Sequence, residues 1–181
     1  MKIIVLFLLS IFGTISALGQ SPQKTIKKLA FHPVFFIDSI NIDGSELSKY
    51  DSTNIAYVNI LKGSKATELY GEDGKDGAIH VFTKRYATTQ YWTYFRTKSS
   101  DYKRLVVSPQ SDTLIQYILN KQALRNNFEG KLFLINDTIF KSIQLLTKRK
   151  LQKKYNIFDK YLGFKIKTVI PNKRQKKQKE S

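Results

Sequence analysis

The 181-residue chain contains no cysteine. Disulfide staples, thiol catalysis and cysteine-based zinc sites are therefore ruled out together. Stability has to come from an ordinary apolar core, and 12 Phe and 10 Tyr supply material for one. Histidine is almost as scarce. Only His32 and His80 occur, which leaves little for a metal cluster or a histidine-based catalytic relay. Acidic residues are few: 14 Asp and Glu stand against 31 Lys and Arg, a formal net charge of +17. No pair of carboxylates has a spacing that marks a general acid and base. Glu72-Asp73-Gly74-Lys75-Asp76-Gly77 lacks the D-x-D-x-D-G order of a calcium loop and holds Lys75 among its acids, so it reads as a glycine turn. No catalytic residue, metal ligand or cofactor motif is assigned.

Long apolar runs are missing too, with one exception at the start. Lys2, the apolar residues 3–12 and Ala17-Leu18-Gly19 follow the charge, apolar core and small-residue order of an export signal. The run falls short of the roughly 20 residues that a membrane-spanning helix needs. Residues 1–19 are therefore expected to be a cleaved signal peptide, with a membrane anchor as the competing reading. The mature chain is expected in the periplasm of a Gram-negative cell, with no transmembrane segment.

Turn residues divide what remains. Residues 20–33 read as a polar, basic leader. Val34-Phe35-Phe36-Ile37 is an apolar strand, Asp38-Ser39 a turn, and Ile40-Asn41-Ile42 a short returning strand ended by Asp43-Gly44. Asp51 can cap a helical turn before the β-rich Tyr57-Val58-Asn59-Ile60-Leu61. Ser64–Tyr70 favours a helix, with Ser64 as N-cap, Ala66 and Leu69 inward, and Gly71 as C-cap. Ala78–Thr83 is a further strand with Ile79 and Val81 toward the core, which turns His80 toward solvent. Residues 86–116 read as a connector, with a strand over 90–98.

The order strand, strand, turn, strand, helix, strand over 34–85 carries a family resemblance. Pro33-Val34-Phe35-Phe36-Ile37-Asp38, Asn59-Ile60-Leu61-Lys62-Gly63, the helix ending in Tyr70-Gly71, and the strand from Gly77 to Lys84 resemble the second half of a TonB-dependent receptor plug domain, closest to SusC-like receptors. The resemblance covers about fifty residues and implies a plug-like fold for them. It implies no transport activity, because a transmembrane barrel needs many strands of about ten residues each.

The second half matches the first. Thr53 to Thr83 and Thr138 to Thr168 have equal spacing, and without a gap Ile55 falls on Phe140, Val58 on Ile143, Ile60 on Leu145, Tyr70 on Tyr155, Ile79 on Phe164 and Val81 on Ile166. Tyr117-Ile118-Leu119-Asn120 matches Phe35-Phe36-Ile37-Asp38 if the second copy carries three extra residues. A diverged tandem duplication leaves such a pattern, because packing constrains core positions more than surface ones. Chance likeness of two amphipathic stretches is the competing explanation. The expected fold class is α+β, with two small plug-like β-β-α-β-α-β units at 34–85 and 117–170 and a disordered basic tail at 171–181.

Charge separates the halves. Residues 34–85 hold six basic and eight acidic residues, whereas 117–170 hold twelve and three. Lys148, Arg149, Lys150, Lys153 and Lys154 would share one face of a helix anchored by Leu151, and suit an anionic envelope surface or an envelope protein. A plain solvated face is the alternative. Nucleic acid suits the charge but not an exported chain. Ser39, Ser52, Thr113 and Thr138 each follow an Asp, in a pattern like some periplasmic O-glycosylation acceptors, although Asp-Ser and Asp-Thr are also ordinary turn and capping pairs. Together these features suggest a non-catalytic periplasmic binding or interaction module. The alternative is a hydrolase-like enzyme whose site is not recognisable in sequence.

Overall fold

The computed structural model describes residues 32–169. The expected signal peptide, most of the leader and the basic tail lie outside the described residues. The described residues open with a tight hairpin of β1 (Val34–Ile37) and β2 (Ile40–Ile42). Its two-residue turn puts both Asp38 and Ser39 at positive φ, 50° and 71°, the handedness that matches strand twist. Two 3-10 turns follow, started by Asp43 and Asp51, whose side chains accept from the backbone N–H two residues on. β3 (Ile55–Leu61), helix α1 (Ser64–Tyr70) and β4 (Ala78–Thr83) complete the first unit. Its sheet order is β2-β1-β4-β3.

The second unit repeats this plan. β5 (Ile115–Leu119) and β6 (Gln122–Ala123) form the hairpin, turning through Asn120 and Lys121, again both at positive φ. Helix α4 (Glu129–Phe133), β7 (Phe140–Thr147), helix α5 (Lys148–Tyr155) and β8 (Leu162–Thr168) follow; helices α2 (Lys84–Lys98) and α3 (Ser100–Leu105) lie between the units. The sheet order is β6-β5-β8-β7. In both sheets the first and last strands run parallel and the strand before the last is antiparallel.

The likeness extends to single residues. Ile55 faces Thr83, and Phe140 faces Thr168; each pair is followed by a bulge before Tyr57 and Ser142. Ile60 pairs with Ile79, and Leu145 with Phe164. These are the positions matched in sequence. A helical Leu145 would have broken the match, but it lies in β7. The hairpin turns are also tied down in equivalent ways. Asp38 accepts from the Thr83 N–H at 2.7 Å and its hydroxyl at 2.8 Å. Asn120 accepts from the Thr168 N–H at 2.9 Å and donates to its hydroxyl at 2.7 Å.

The connector departs from expectation. The strand expected over 90–98 is part of helix α2 (Lys84–Lys98), and α3 (Ser100–Leu105) follows, then a 3-10 turn at Pro109–Leu114. Tyr91, Trp92, Tyr94 and Phe95 have strand propensity, but Ala87, Tyr91 and Phe95 recur every four residues and all are buried. Thr83 caps α2, its hydroxyl accepting from the Tyr86 N–H. Tyr91 and Phe95 from α2, with Tyr102 from α3, join Tyr117, Phe164 and Ile166 in the largest core cluster. The segment between the units is thus core for the second. The first unit has its own smaller core of Phe35, Ile37, Leu47, Ile79 and Val81.

Smaller differences have local causes. Gly63, at φ 55°, takes the N-cap position before Ser64. Leu69 is exposed, so Ala66 is the one fully buried residue of α1, and Tyr70 packs its ring on Phe36 instead. The second unit starts two residues early, at Ile115.

Candidate functional site

The basic cluster lies on α5. Leu151, fully buried among Ile118, Leu146 and Ile157, fixes the helix to its sheet. Burying a leucine side chain is worth about 1.5–3 kcal/mol. Asn156 closes the helix at φ 56°, its N–H bonded to the Gln152 and Leu151 carbonyls. Arg149, Lys150, Lys153 and Lys154 are exposed. Lys148 is half-buried, its ammonium 3.9 Å from the centre of the Tyr161 ring. Among the described residues the ion pairs are Lys49–Glu46, Lys98–Asp137 and Arg104–Asp101, so no acid neutralises the cluster.

The sheet beneath adds charge. Ile118, which packs with Leu151, pairs in register with Lys165, and Lys167 lies two residues on, on the same sheet face. The equivalent residues of the first unit are His80 and Phe82. The same face is thus basic in one unit and aromatic in the other. The helices differ likewise: α1 has Glu68 where α5 has Lys153.

His80 does not face solvent freely, contrary to the expectation from strand alternation. It is half-buried, stacked on Phe36 with ring centres 4.6 Å apart, and its Nε2 is 2.9 Å from the Tyr70 hydroxyl. The helix α1 brings Tyr70 over this face, while Phe82 continues the stack toward Phe133 of α4. Burial lowers the His80 pKa below its ordinary 6.5. The neutral ring is therefore favoured in the folded state. Its contribution to stability is complete above pH 6.5 and is lost as pH falls through the lowered value. NMR titration should give a His80 midpoint below 6.5, and His80→Phe should flatten the stability profile in that window. A midpoint at or above 6.5 would refute the assignment.

The candidate acceptors Ser39, Ser52, Thr113 and Thr138 are all exposed. Ser39 lies in the first hairpin turn, 3.2 Å from the Tyr86 hydroxyl, and Ser52 opens a 3-10 turn. Thr113 donates to the Gln110 carbonyl, and the Thr138 N–H donates to Asn136. Asp137 beside Thr138 accepts from Tyr94 at 2.9 Å and pairs with Lys98 at 2.6 Å. The Lys98 ammonium, then the Tyr94 hydroxyl, hold its carboxyl below the usual range. Partial burial, then the Asp137 bond, pushes the Tyr94 phenol up to about 12.

A cleft not suggested by the sequence opens beside the N-terminal half of α2. It measures about 710 Å³ and is walled by four separate stretches within 84–89, 109–116, 124–129 and 156–160. Lys84, Arg85, Arg125 and Lys160 face it together with Glu129 and Asp159. Gln116, buried in its wall, donates through Nε2 to the carbonyls of Tyr117 and Leu124. Among the described residues no group of three or more His, Cys, Asp or Glu side chains is placed to hold a metal ion. No protein-family model, curated protein or solved structure matches the chain.

Proposed function

We propose that this chain is a non-catalytic binding or interaction module of the Gram-negative periplasm, with a plug-like fold, whose second unit presents a basic face to an anionic envelope surface. The observation that carries this reading is five cations on one helix without an acidic partner among the described residues. The plug-like reading draws support from order: Leu61-Lys62-Gly63 closes β3 and leads into α1, Tyr70-Gly71 ends α1, and a turn leads to β4. Among the described residues no helix is long and apolar enough to cross a membrane. The export signal supplies the location.

The test is binding to vesicles containing phosphatidylglycerol. Each cation near an anionic lipid surface contributes about 1 kcal/mol. Replacing Lys148, Arg149, Lys150, Lys153 and Lys154 with Gln should therefore weaken binding at least about a hundredfold. Parent binding should also fall steeply between low and moderate salt, since the Debye length is about 8 Å at physiological ionic strength. Equal binding by the Gln variant at low salt would leave the helix a solvated face and transfer the role to a protein partner of the first unit. One observation favours the enzyme alternative, namely a cleft with the carboxylates Glu129 and Asp159 among its cations. Turnover of ester or glycoside substrates that is lost in Glu129→Gln would replace the binding reading.

A further inference from the structure

We infer that the cleft beside α2 is a binding site for a small hydroxylated organic acid, with Arg85 and Arg125 taking the carboxylate and Glu129 taking a hydroxyl. None of the five α5 cations lines this cleft, although Asn156, which closes α5, lies in its wall.

The cations of the cleft are not equivalent. The Lys84 ammonium donates to Asn127 Oδ1 at 2.7 Å, and that of Lys160 to the Thr113 carbonyl at 2.6 Å. Both already have partners. Arg85 and Arg125 are exposed and form no ion pair or side-chain hydrogen bond with another described residue. A guanidinium offers fixed, fork-shaped donors that suit a carboxylate, and two of them on one cleft favour an anion strongly over a neutral molecule.

Glu129 adds the second requirement. It lines the same cleft as four cations, yet forms no ion pair. Its Oε2 is buried with no hydrogen-bond partner among the described residues. An unsatisfied buried acceptor is costly, and more so when charged. A bare anion would add repulsion beside this carboxylate. An acid that also carries hydroxyl groups would give it a donor once the carboxylate turns out of its buried position into the cleft that Glu129 lines. The remaining wall fits such a molecule, with Leu124, Phe128 and Ile157 as apolar surface for ring carbons and Thr88 and Asn126 as neutral polar groups. The volume of about 710 Å³ is ample for a monosaccharide-sized ligand.

Three probes separate these requirements. Glucuronate has a carboxylate and hydroxyls, acetate has only the carboxylate, and glucose only the hydroxyls. Titration of the protein, followed by calorimetry and amide NMR, should show one-to-one glucuronate binding at least about tenfold tighter than either control. Shifted resonances should include Arg85, Gln116, Arg125 and Glu129. The double variant Arg85→Gln/Arg125→Gln should lose at least about tenfold in glucuronate affinity. Glu129→Gln should narrow the gap between glucuronate and acetate. Lys150→Gln/Lys154→Gln, whose side chains do not line the cleft, should bind glucuronate as the parent does. Circular dichroism should show each variant folded, as expected for the exposed Arg85, Arg125, Lys150 and Lys154 and for the near-isosteric change at the half-buried Glu129. Glucuronate binding no tighter than acetate, or undiminished in the folded arginine variant, overturns the inference. A loss confined to the α5 variant would move the acid to the basic face and overturn it too.

Discussion

Replacing Gly130 with alanine is expected to lower the melting temperature by about 10 °C, from a loss of about 3 kcal/mol. Gly130 lies in α4, where the second unit meets the first. A Cβ built on it would sit inside the van der Waals radius of the Ala56 carbonyl oxygen, and only 3.5 Å from the Tyr57 Cβ. Ala56 is the unpaired residue of the β3 bulge. The obstacle is backbone held by a sheet, so no side-chain rotation relieves it. The helix has to lift instead, which parts Phe133 from Tyr57 and from Phe82. The direction of the effect therefore differs from that of a mid-helix Gly→Ala change, which favours the helix by about 1 kcal/mol. Calorimetry would measure the shift, and hydrogen exchange should show earlier opening around α4 than in the parent. An unchanged melting temperature would mean that α4 is not seated on the bulge.

Phe164→Ala is expected to cost about 3–5 kcal/mol. The ring is fully buried, meets Tyr102 edge-on with centres 4.9 Å apart, and sits in register with Tyr117 on one side and Leu145 on the other. It joins α3 to both neighbours of β8. Total stability of a domain is only about 5–15 kcal/mol, so this single truncation removes a large part of it. Urea unfolding should show a lower midpoint with an unchanged slope. A loss below about 1 kcal/mol would mean that the core collapses around the gap, contrary to the close packing expected of an interior.

Much of this architecture could be read from residue order. The strands of the first unit are short, rich in branched and aromatic residues, and bounded by Asp-Ser, Asp-Gly and Lys-Gly, so both their period and their ends are marked. The repeat was legible because core positions kept their spacing while surface positions drifted. The helix α2 was not legible. Its aromatics favour a strand when taken locally, and only the core of the second unit, far along the chain, decides for the helix. His80 was misplaced because alternation distinguishes two sheet faces but does not say that both are covered. The cleft left no trace at all: Arg85, Arg125 and Glu129 come from segments with no common motif, and only folding brings them together. The α5 cluster, in contrast, is contiguous, and its composition was enough.

The placement of each unit's first and last strands has a mechanical consequence. β1 lies beside β4, and β5 beside β8, both pairs parallel. Each unit is entered at one end of its central pair and left at the opposite end. Tension along the chain therefore slides these strands past one another and loads every bond between them at once. A hairpin pulled at its open end would instead give way one bond at a time. Force applied across the two ends of a unit therefore meets the strand geometry that resists it best.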